Sequence, residues 1–447
     1  MGANIRLKVA ICGAGIGGLT CALALSKYPD LEIDIYESAS KLAEVGAGIG
    51  LFPRPWKIIR ALGLEQDLLR LTELGVTEGP VKSFRYRKGD QPHDGPDFFQ
   101  LVTSGSLVLL HRADYQQTLI QHLPRTCRTH CSKRLRSYSQ RLSGPIELVF
   151  EDGTVAYCDV LLGADGLKSA VRRCALSEKS RWAQSEGRYK EAAELLQGVD
   201  PVWSGTNAYR ALIPADRLQA RYPSHRAITT PVQYLGKQGY VIAYPISQGK
   251  MVNFVAFTCR HDLEDTKFNG PWVSVADKSQ FAGYFSHWEP EVQAMLDCVE
   301  KPLQWAVHTV RPLRSFVSGR AALLGDAAHA MTPHQGSGAG QAIEDGYILA
   351  ALLGHPRTTR ENVQRALRIY DEIRRPMAQR VMEKTRMNGR LYSMELDGLD
   401  IDDMPPAQQW EFLQRMGKKF VKNWEWAWTT TADDALLEAL RRLEQSV

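Results

Sequence analysis

Three glycines near the N-terminus have the spacing of a loop that binds a nucleotide pyrophosphate. Gly13, Gly15 and Gly18 follow a short apolar segment and form the pattern G-x-G-x-x-G. Glycine permits the tight turn, the close approach of the backbone to a pyrophosphate, and the close packing of helix on strand that such a site needs. The helix that follows would direct unpaired N–H groups and the positive end of its dipole at the phosphates.

A carboxylate follows this loop at the separation expected for ribose binding. Glu37 ends a segment in which Leu31, Ile33 and Ile35 alternate with acidic residues, and this alternation predicts a strand. An acidic residue about 20 positions beyond the glycines accepts hydrogen bonds from the ribose of an adenine dinucleotide. The charge of Glu37 also disfavours a 2′-phosphate. The alternative is a glycine-rich packing turn with a surface Glu37, and this motif alone does not separate FAD from NAD.

Two later strand ends favour FAD. Asp165-Gly166 and Gly325-Asp326 each follow a short apolar segment. Since the carboxyl ends of parallel strands meet at one crevice, an aspartate there can accept a hydrogen bond from a ribityl hydroxyl. The turn after Pro333 offers the backbone N–H groups of residues 336–340 to a flavin carbonyl or a bound oxyanion. In the alternative interpretation, each aspartate belongs to an ordinary turn.

Hydrophobic periodicity predicts the elements that must position these residues. Residues 8–37 form one strand–helix–strand unit. Further strands are predicted at 146–150, 155–157, 159–162, 206–213, 227–235, 239–247, 250–258 and 321–324, and helices at 55–62, 111–123, 178–198 and from the 336–340 turn to 353. Residues 76–104 are predicted to be strands or loops of an inserted layer, and the chain beyond residue 360 is predicted to be helical.

Composition and charge exclude several classes of protein. A hydrophobic share of 44% and a charged share of 23% are those of a globular chain. Lys+Arg 55 against Asp+Glu 50 gives a net charge of +5, which suits anionic small molecules and is too small for a nucleic-acid partner. The apolar stretch Val9–Leu25 is interrupted by glycines, so it is neither a signal sequence nor a membrane span. The cysteines form no CxxC pair, so we expect reduced thiols, no metal site and a cytoplasmic protein.

The motifs occur in an order that resembles a known enzyme family. The ordered set is Gly13-x-Gly15-x-x-Gly18, Arg112 within His111-Arg112-Ala113-Asp114, Asp165-Gly166, and Gly325-Asp326 followed by Pro333-x-x-Gly336. This set resembles the single-component, or class A, FAD-dependent aromatic hydroxylases over about residues 5–385. The likeness is greatest to fungal salicylate hydroxylase-like enzymes and decarboxylating 4-hydroxybenzoate 1-hydroxylases.

The resemblance implies an α/β fold like that of para-hydroxybenzoate hydroxylase. Such a fold has a Rossmann-like FAD-binding domain, an inserted and mainly antiparallel β-sheet domain for substrate, and a C-terminal helical region. On this chain we expect a discontinuous FAD-binding domain at 1–75, 105–177 and 305–360, a substrate domain at 76–104 and 178–304, and the helical region at 361–447.

The family also implies which residues hold the cofactor. Arg112 would reach the FAD pyrophosphate or ribityl chain, Asp165 would contact FAD and the coenzyme, and Asp326 would hold the ribityl chain. The full expected set is Gly13, Gly15, Gly18, Glu37, Gly48, Arg112, Asp165, Gly166, Asp326, Gly336, Gly338 and Ala339. Gly48 belongs to a second glycine cluster, residues 46–50, expected near a mobile isoalloxazine ring. No second dinucleotide motif follows a strand, so NADH or NADPH would dock transiently.

The expected catalytic residues are Arg210, Tyr244 and Pro333. In the family an arginine on one strand and a tyrosine on another face an anionic phenol, and Pro333 would lie beside the flavin ring. Arg210 could pair with a carboxylate or a phenolate. The alternative interpretation is a rim arginine and a core tyrosine. Arg54 stands where relatives often have asparagine, and it would add a cation near the pocket.

Three features outside this set receive structural interpretations. We expect His329 and His334 to be structural histidines bonded to the backbone. The basic, tryptophan-rich segment 418–428 is expected to be a packed or dimer-contact helix, with a membrane-surface helix as the alternative. The protein is expected to be a monomer or homodimer with a small phenolic acid as partner, without nucleic acid and without integral membrane association.

The resemblance implies a reaction. Reduced FAD and O2 would form a C4a-hydroperoxide that attacks a ring carbon ortho or para to a phenolate. A carboxylate on that carbon would leave as CO2, which fits salicylate and 4-hydroxybenzoate. We therefore predict an NAD(P)H-dependent, decarboxylating hydroxybenzoate hydroxylase. The alternatives are a non-decarboxylating or dearomatising phenol monooxygenase of secondary metabolism, and a flavin-binding redox sensor without an organic substrate.

Overall fold

The computed structural model describes residues 4–42, 48–72, 75–141, 143–395 and 400–445. Gly46 and Ala47 of the predicted second glycine cluster, and the terminal Ser446 and Val447, lie outside this part of the chain.

The described residues form strands in four sheets. The strands are β1 Leu7–Cys12, β2 Leu31–Tyr36, β3 Gly48–Leu51, β4 Pro80–Lys88, β5 Asp97–Ser104, β6 Val108–His111, β7 Cys127–His130, β8 Leu135–Ser139, β9 Ile146–Phe150, β10 Val155–Cys158, β11 Val160–Gly163, β12 Val202–Pro214, β13 Val232–Gly236, β14 Gly239–Ile246, β15 Met251–Cys259, β16 Val273–Val275, β17 Leu303–Thr309, β18 Val317–Ser318 and β19 Ala321–Leu323.

The helices of the described residues surround these sheets. They are α1 Ile16–Leu25, α2 Pro53–Leu62, α3 Glu65–Leu69, α4 Arg112–His122, α5 Ala170–Ser185, α6 Tyr189–Gln197, α7 Ala215–Arg221, α8 Ser279–Ala282, α9 Pro290–Cys298, α10 Asp326–His329, α11 Gly338–Gly354, α12 Val363–Tyr392, α13 Pro406–Trp424, α14 Trp426–Thr429 and α15 Asp433–Glu444.

The first sheet is Rossmann-like and has the strand order β18-β19-β11-β1-β2-β7. β1 runs parallel to both β2 and β11, and β19 runs parallel to β11. Val9, Ile11 and Ile33 are buried between the helices on its two faces, as a parallel sheet requires. The predicted strand–helix–strand unit at the N-terminus is confirmed.

The second large sheet has eight strands in the order β16-β17-β12-β15-β14-β13-β4-β5. Its pairs are antiparallel except for β13 with β4. One face packs on α8 and α9 through residues such as Phe254, Phe281 and Val292. The β4–β5 end of the other face packs on α12 and α13 through Tyr86, Tyr392 and Phe420. The predicted α/β architecture with an inserted sheet and a helical C-terminal region is confirmed.

Two predicted elements differ from the structure for local reasons. The strand predicted at 227–235 begins only at Val232, since Arg226–Ile228 forms a 3-10 turn in which the His225 ring accepts a hydrogen bond from the N–H of Ala227. The single helix predicted at 178–198 is two helices, α5 and α6, because the chain reverses at Gly187 with φ +75°. Left-handed backbone of this kind favours glycine and cannot continue a helix.

The expected division into domains stays a prediction, with one detail added by the strand pairing. β17 pairs with β12 from Val202–Thr309 to Arg210–Leu303, so residues 303–309 belong to the eight-stranded sheet. The expected boundary between residues 304 and 305 therefore falls within a strand of that sheet.

The tryptophan-rich C-terminal segment is packed against the rest of the protein. Trp424 and Trp428 are buried, and their ring centroids lie 5.1 Å and 5.7 Å from that of Phe52. The expectation of a packed helix is thus met by the described contacts. In the part of the chain that the structure describes, no helix is both long enough and apolar enough to cross a membrane.

Helices α1 and α11 pack closely against each other at a glycine, and this contact gives a test of the fold. A Cβ added at Gly346 of α11 would lie 2.9 Å from the backbone nitrogen of Cys21 in α1. We expect Gly346→Ala to lower the free energy of unfolding by about 1–3 kcal/mol, because overpacking outweighs the better helix propensity of alanine. Urea denaturation of the holoprotein measures it.

Gly283→Ala is the matched control, because a Cβ at Gly283 would meet no described atom within 4 Å. If Gly346→Ala were as stable as this control, the close contact of α1 with α11 would be contradicted.

Candidate active site

The glycine loop brings the carboxyl ends of β1 and β11 together. A Cβ at Gly13, where φ is +105°, would lie 2.2 Å from the carbonyl oxygen of Ala164. A Cβ at Gly18 would lie 2.0 Å from the carbonyl oxygen of Gly13. Gly15 differs, since a Cβ there would meet no described atom within 4 Å. Two of the glycines therefore allow packing, and the third leaves the backbone open at the start of α1.

Glu37 lies beside this loop, as its position in the sequence predicts. One carboxylate oxygen accepts a hydrogen bond from the backbone N–H of Ala14 at 2.8 Å. The other accepts from the N–H of Ala39, also at 2.8 Å. These bonds fix a negative charge next to the open backbone of Gly15, which is the arrangement that ribose recognition requires.

Asp165 follows the end of β11, and its carboxylate binds the start of α5. Its carboxylate accepts hydrogen bonds from the Ser169 hydroxyl and from the backbone N–H groups of Ala170 and Val171, the latter two at 2.7 Å and 3.1 Å. Burial raises the pKa of Asp165, and these hydrogen bonds oppose the rise. The carboxylate thus caps α5, and its contact with FAD or coenzyme stays a prediction. The next residue, Gly166, has φ +72° and open space where a Cβ would be.

A buried arginine joins the two strand ends. Arg172 donates to the carbonyl oxygen of Ala327 at 2.9 Å and to that of Leu167 at 2.6 Å. Burial lowers its pKa to about 10. The guanidinium therefore ties the turn of Asp165 to the turn of Asp326. No role for Arg172 was predicted, because backbone carbonyl partners leave no motif in the sequence.

Asp326 is exposed at the end of β19, although the residues that follow it in α10 are buried. No hydrogen bond to its carboxylate occurs among the described residues. Gly325, in front of it, has φ +58° and turns the chain so that α10 begins at the aspartate. An open carboxylate here and an open backbone at Gly15 fit the ribityl chain and pyrophosphate of FAD, so the residues present suit this cofactor.

Two adjacent carboxylates on α11, those of Glu344 and Asp345, belong to a cluster of charges that holds the turn at Gly325. Asp345 accepts from the N–H of Gly325 at 3.0 Å and contacts the His329 ring at 2.5 Å. Arg374 of α12 pairs with Asp345 and with Glu344, both at 2.8 Å. Burial would raise the pKa of Asp345, but His329 and Arg374 hold it at about 2. The turn at Gly325 is therefore anchored to a buried, ionised aspartate.

Arg54 uses its charge within the protein, and its contribution to a nearby substrate pocket stays a prediction. Arg54 makes a bidentate pair with Glu344 at 2.8 Å and 2.9 Å and also donates to the carbonyl oxygen of Thr431. Its side chain is 6% exposed, and that of Glu344 is fully buried. A buried carboxylate needs a cation, and Arg54 supplies it. The signal in the sequence was the consecutive pair Glu344-Asp345 in an otherwise apolar helix.

The turn at residues 332–336, which we call the flavin loop, is held by the C-terminal helices. Thr385 of α12 accepts from the N–H of Gln335 and donates to the carbonyl oxygen of Thr332. The Gln335 amide donates to the carbonyl oxygen of Asn423 in α13 at 3.3 Å. Pro333 begins the turn, and Gly336 ends it with φ +60°.

The N-terminus of α11 follows the flavin loop directly. Gly338 and Ala339 form its first turn, and Ser337 makes no side-chain cap hydrogen bond there. The backbone N–H groups of this turn are thus free of a side-chain cap, which suits a flavin carbonyl or an oxyanion.

His334 connects the flavin loop to the eight-stranded sheet. Its Nδ1 lies 2.6 Å from the hydroxyl oxygen of Tyr240 on β14. Burial lowers the pKa of His334 to about 3, so the ring is neutral, and its Nδ1 shares a hydrogen bond with the Tyr240 hydroxyl. His334 and His329 therefore bond to side chains, and the expectation of backbone partners for them is wrong.

Arg210 and Tyr244 lie on one face of the eight-stranded sheet. Arg210 is opposite Val255, which is opposite Ile242, and Tyr244 is two residues beyond Ile242. Directly opposite residues of antiparallel strands share a face, as do residues two apart on one strand. Tyr240 belongs to this face as well, so the face carries Arg210, Tyr244 and the tyrosine that holds the flavin loop.

Arg210 is a partly buried cation without a carboxylate partner among the described residues. Its Nε atom is buried and has no hydrogen-bond partner there. Burial lowers the pKa of Arg210, the nearby Tyr244 opposes this, and the positive charge of Arg112 adds to it. A buried, unsatisfied donor of this kind is costly unless a ligand pairs with it. Arg112, the first residue of α4, is thus near enough to Arg210 to interact electrostatically.

Tyr244 meets the Rossmann-like part of the protein at Gly48. A Cβ added at Gly48 would lie 3.0 Å from the hydroxyl oxygen of Tyr244. Burial raises the pKa of Tyr244, and Arg210 opposes the rise. The structure therefore brings Gly48, Tyr244 and Arg210 together. Pro333 joins them indirectly, through the bond between Tyr240 and His334.

Comparisons with known proteins agree with this geometry. Residues 294–385 match the family model described as FAD binding domain. An FAD-dependent monooxygenase of Strobilurus tenacellus is 35% identical over 471 residues, which cover 100% of this chain and 99% of that protein. Salicylate hydroxylase of Pseudomonas putida is 33% identical over 447 residues, covering 98% and 96%. A solved salicylate hydroxylase substrate complex is 28% identical, with a TM-score of 0.80 and coverage of 97% and 98%.

The buried pair of Arg54 and Glu344 gives a prediction of stability. Arg54→Met leaves Glu344 with one cation fewer, and we expect the free energy of unfolding to fall by about 3–5 kcal/mol. Arg60→Met is the control on the same helix, since Arg60 is half exposed and pairs with Glu65. It should change the free energy by less than about 1 kcal/mol. Equal effects in urea denaturation would contradict the structural role of Arg54.

The neutral His334 gives a prediction of pH dependence. Its pKa of about 3 in the folded protein lies below the value near 6.5 in the unfolded chain. The unfolded chain therefore binds the extra proton first, and stability falls as the pH drops below about 6.5 by at most about 1.4 kcal/mol per pH unit. His334→Gln should lose about 1 kcal/mol less than the wild type between pH 7.5 and 5.5. Parallel curves of urea midpoint against pH would refute this.

Proposed function

Since the chain belongs to the class A FAD-dependent aromatic hydroxylases, we propose that it hydroxylates a phenolic aromatic acid with NADH or NADPH and O2. We further propose attack at the ring carbon that bears the carboxylate, so that CO2 leaves. One oxygen atom of O2 then enters the product and the other enters water, while NAD(P)H supplies the electrons. Salicylate would give a catechol and 4-hydroxybenzoate a hydroquinone.

The observation that carries this proposal is the guanidinium of Arg210, whose buried Nε has no hydrogen-bond partner among the described residues. Arg210 shares its sheet face with Tyr244, and the Tyr244 hydroxyl lies next to Gly48 in the cofactor region. An anionic ring would satisfy the arginine with a charge-assisted hydrogen bond. A neutral ligand would leave the guanidinium without a counter-ion.

FAD, when bound and reduced, supplies the activated oxygen for this chemistry. The residues proposed to hold it are Gly13, Gly15, Gly18, Glu37, Gly48, Arg112, Asp165, Gly166, Asp326, Gly336, Gly338 and Ala339. Glu37 accepts from the ribose, Asp326 accepts from the ribityl chain, and the first turn of α11 donates N–H groups to the flavin ring. The flavin loop keeps Pro333 beside that ring, because Thr385 and Tyr240 hold it.

The chain's own residues then act on the substrate. Arg210 pairs with the carboxylate or the phenolate and so favours the ionised ring, which is the electron-rich form that accepts oxygen. The Tyr244 hydroxyl donates a hydrogen bond to the phenolic oxygen of the substrate, or accepts one from it, and so fixes the orientation of the ring. The apolar side chains between them on the same face, Val255 and Ile242, would keep water from one side of the bound ring.

We also propose a cytoplasmic protein that is a monomer or homodimer. All eight cysteines are free, and six of them are buried, which suits a reducing compartment. Among the described residues no group of three or more His, Cys, Asp or Glu side chains is placed to hold a metal ion.

The relatives support a second candidate with the same cofactor. A 3-amino-4-hydroxybenzoate 2-monooxygenase of Streptomyces platensis is 30% identical over 394 residues, and its name does not imply loss of CO2. Hydroxylation without decarboxylation is therefore the alternative. Product and CO2 analysis after turnover with salicylate and 4-hydroxybenzoate separates the two. A redox sensor would oxidise NAD(P)H at a rate that neither phenol changes.

Arg210 and Tyr244 are testable without turnover. Arg210→Ala should weaken hydroxybenzoate binding by about 10- to 100-fold, because a charge-assisted hydrogen bond is lost. Tyr244→Phe should weaken it about fivefold. Both variants should remain yellow. The measurement is titration calorimetry of the holoenzyme with salicylate and 4-hydroxybenzoate.

Arg217→Ala is the control for these variants, since Arg217 is exposed on α7 and pairs with Glu300. Its affinity should equal that of the wild type. Unchanged affinity in Arg210→Ala would remove Arg210 from the substrate site.

A further inference from the structure

An exposed apolar surface adjoins Arg210 on the same sheet. It consists of five side chains on β12, β16 and β17, which we call the apolar strip: Leu212, Val273, Val275, Leu303 and Trp305, with exposed fractions of 56%, 45%, 64%, 37% and 38%. Large apolar side chains exposed together in this way mark a binding surface more often than scattered single ones do.

Strand register places the strip on the face that carries Arg210. Leu303 is directly opposite Arg210, and Val275 is directly opposite Leu303. Trp305 is opposite Val273, and the guanidinium carbon of Arg210 lies 5.9 Å from the centroid of the Trp305 ring. Leu212 is two residues beyond Arg210 on the same strand, so it shares the face. The apolar strip therefore adjoins the Arg210 side chain on the same sheet face.

The other parts of this sheet face are covered within the chain. At the β4–β5 end, Tyr86 and Phe98 pack on α13, and in the middle Tyr240 contacts the flavin loop. At the β12–β17–β16 end the described residues leave the five side chains of the strip exposed. A partly buried cation whose Nε is unpaired, beside an exposed apolar surface, is complementary to a ligand that has an anionic group at one end and an apolar group at the other.

We propose that the substrate is a phenolic acid with an apolar substituent of several carbon atoms. The carboxylate or phenolate pairs with Arg210, and the substituent covers Trp305, Leu303 and Leu212. This inference rests on the proposed function and narrows its substrate class. Five side chains are few for a stable protein partner, because such interfaces use about 20–30 residues on each side.

The test compares substituted and unsubstituted ligands on the holoenzyme. The probes are salicylate and 4-hydroxybenzoate, each beside its series of ring-propyl derivatives, and titration calorimetry gives the dissociation constants. The best propyl derivative should bind at least tenfold more tightly than its parent, since each buried methylene contributes about threefold to fourfold. Trp305→Ala should remove most of this gain, so that the dissociation constants of the propyl derivative and of its parent become nearly equal.

Trp182→Ala is the matched control, because Trp182 is 59% exposed on α5, away from this sheet. It should keep the full gain. The inference is overturned if no propyl derivative gains affinity, or if Trp305→Ala keeps the gain. It is also overturned if sedimentation velocity shows a dimer that Trp305→Ala dissociates, because a second copy would then cover the strip.

Turnover separates this inference from the proposed function. If the parents are hydroxylated and no propyl derivative binds more tightly, only the inference fails. If no phenol is hydroxylated but the gain exists and depends on Trp305, the proposed function fails and the strip still binds the apolar group.

Discussion

The organisation of the site depends on neutralising two adjacent buried carboxylates. Glu344 and Asp345 are fully buried in α11, where unpaired negative charges would be strongly unfavourable. Arg54 from α2, Arg374 from α12 and His329 from α10 converge on them. Because Asp345 also accepts from the N–H of Gly325, this charge cluster fixes the turn that presents Asp326 to the ribityl chain. One electrostatic anchor thus joins the cofactor turn, the helix after the flavin loop and the C-terminal region.

A consequence is that the C-terminal helices belong to the site, although they lie far from the dinucleotide motif in sequence. Thr385 in α12 and the carbonyl oxygen of Asn423 in α13 hold the flavin loop through Gln335. Gly389 lets the His334 ring approach α12, since a Cβ there would lie 2.2 Å from the ring. The His334 ring in turn shares a hydrogen bond with the hydroxyl of Tyr240 in the eight-stranded sheet. The loop beside the flavin is therefore held from the helices and from the sheet that faces the substrate.

Local patterns in the sequence predicted the elements around the proposed cofactor site. The glycine spacing, the alternation at residues 31–35 and the strand-end aspartates depend on short stretches of chain, and the structure places them at the ends of neighbouring strands. Long-range partners were harder to predict. Nothing near Arg54 in the sequence indicates its partner Glu344. His334 was expected to bond to the backbone, because nothing local indicates Tyr240. The anchors of Arg172 are backbone carbonyls, which carry no sequence signal. Arg210 and Tyr244 were expected to face a ligand together, and the register of β12, β15 and β14 places them on one face.

The Arg210 guanidinium, whose buried Nε has no partner among the described residues, is proposed to bind an anionic ring next to the flavin. A crystal structure of the oxidised holoenzyme soaked with a hydroxybenzoate tests this proposal. We expect a carboxylate or phenolate oxygen about 3 Å from the guanidinium of Arg210, with the ring beside the Tyr244 hydroxyl and FAD in contact with Gly15 and Asp326. A ring bound elsewhere, with the Arg210 guanidinium still unpaired, would contradict it.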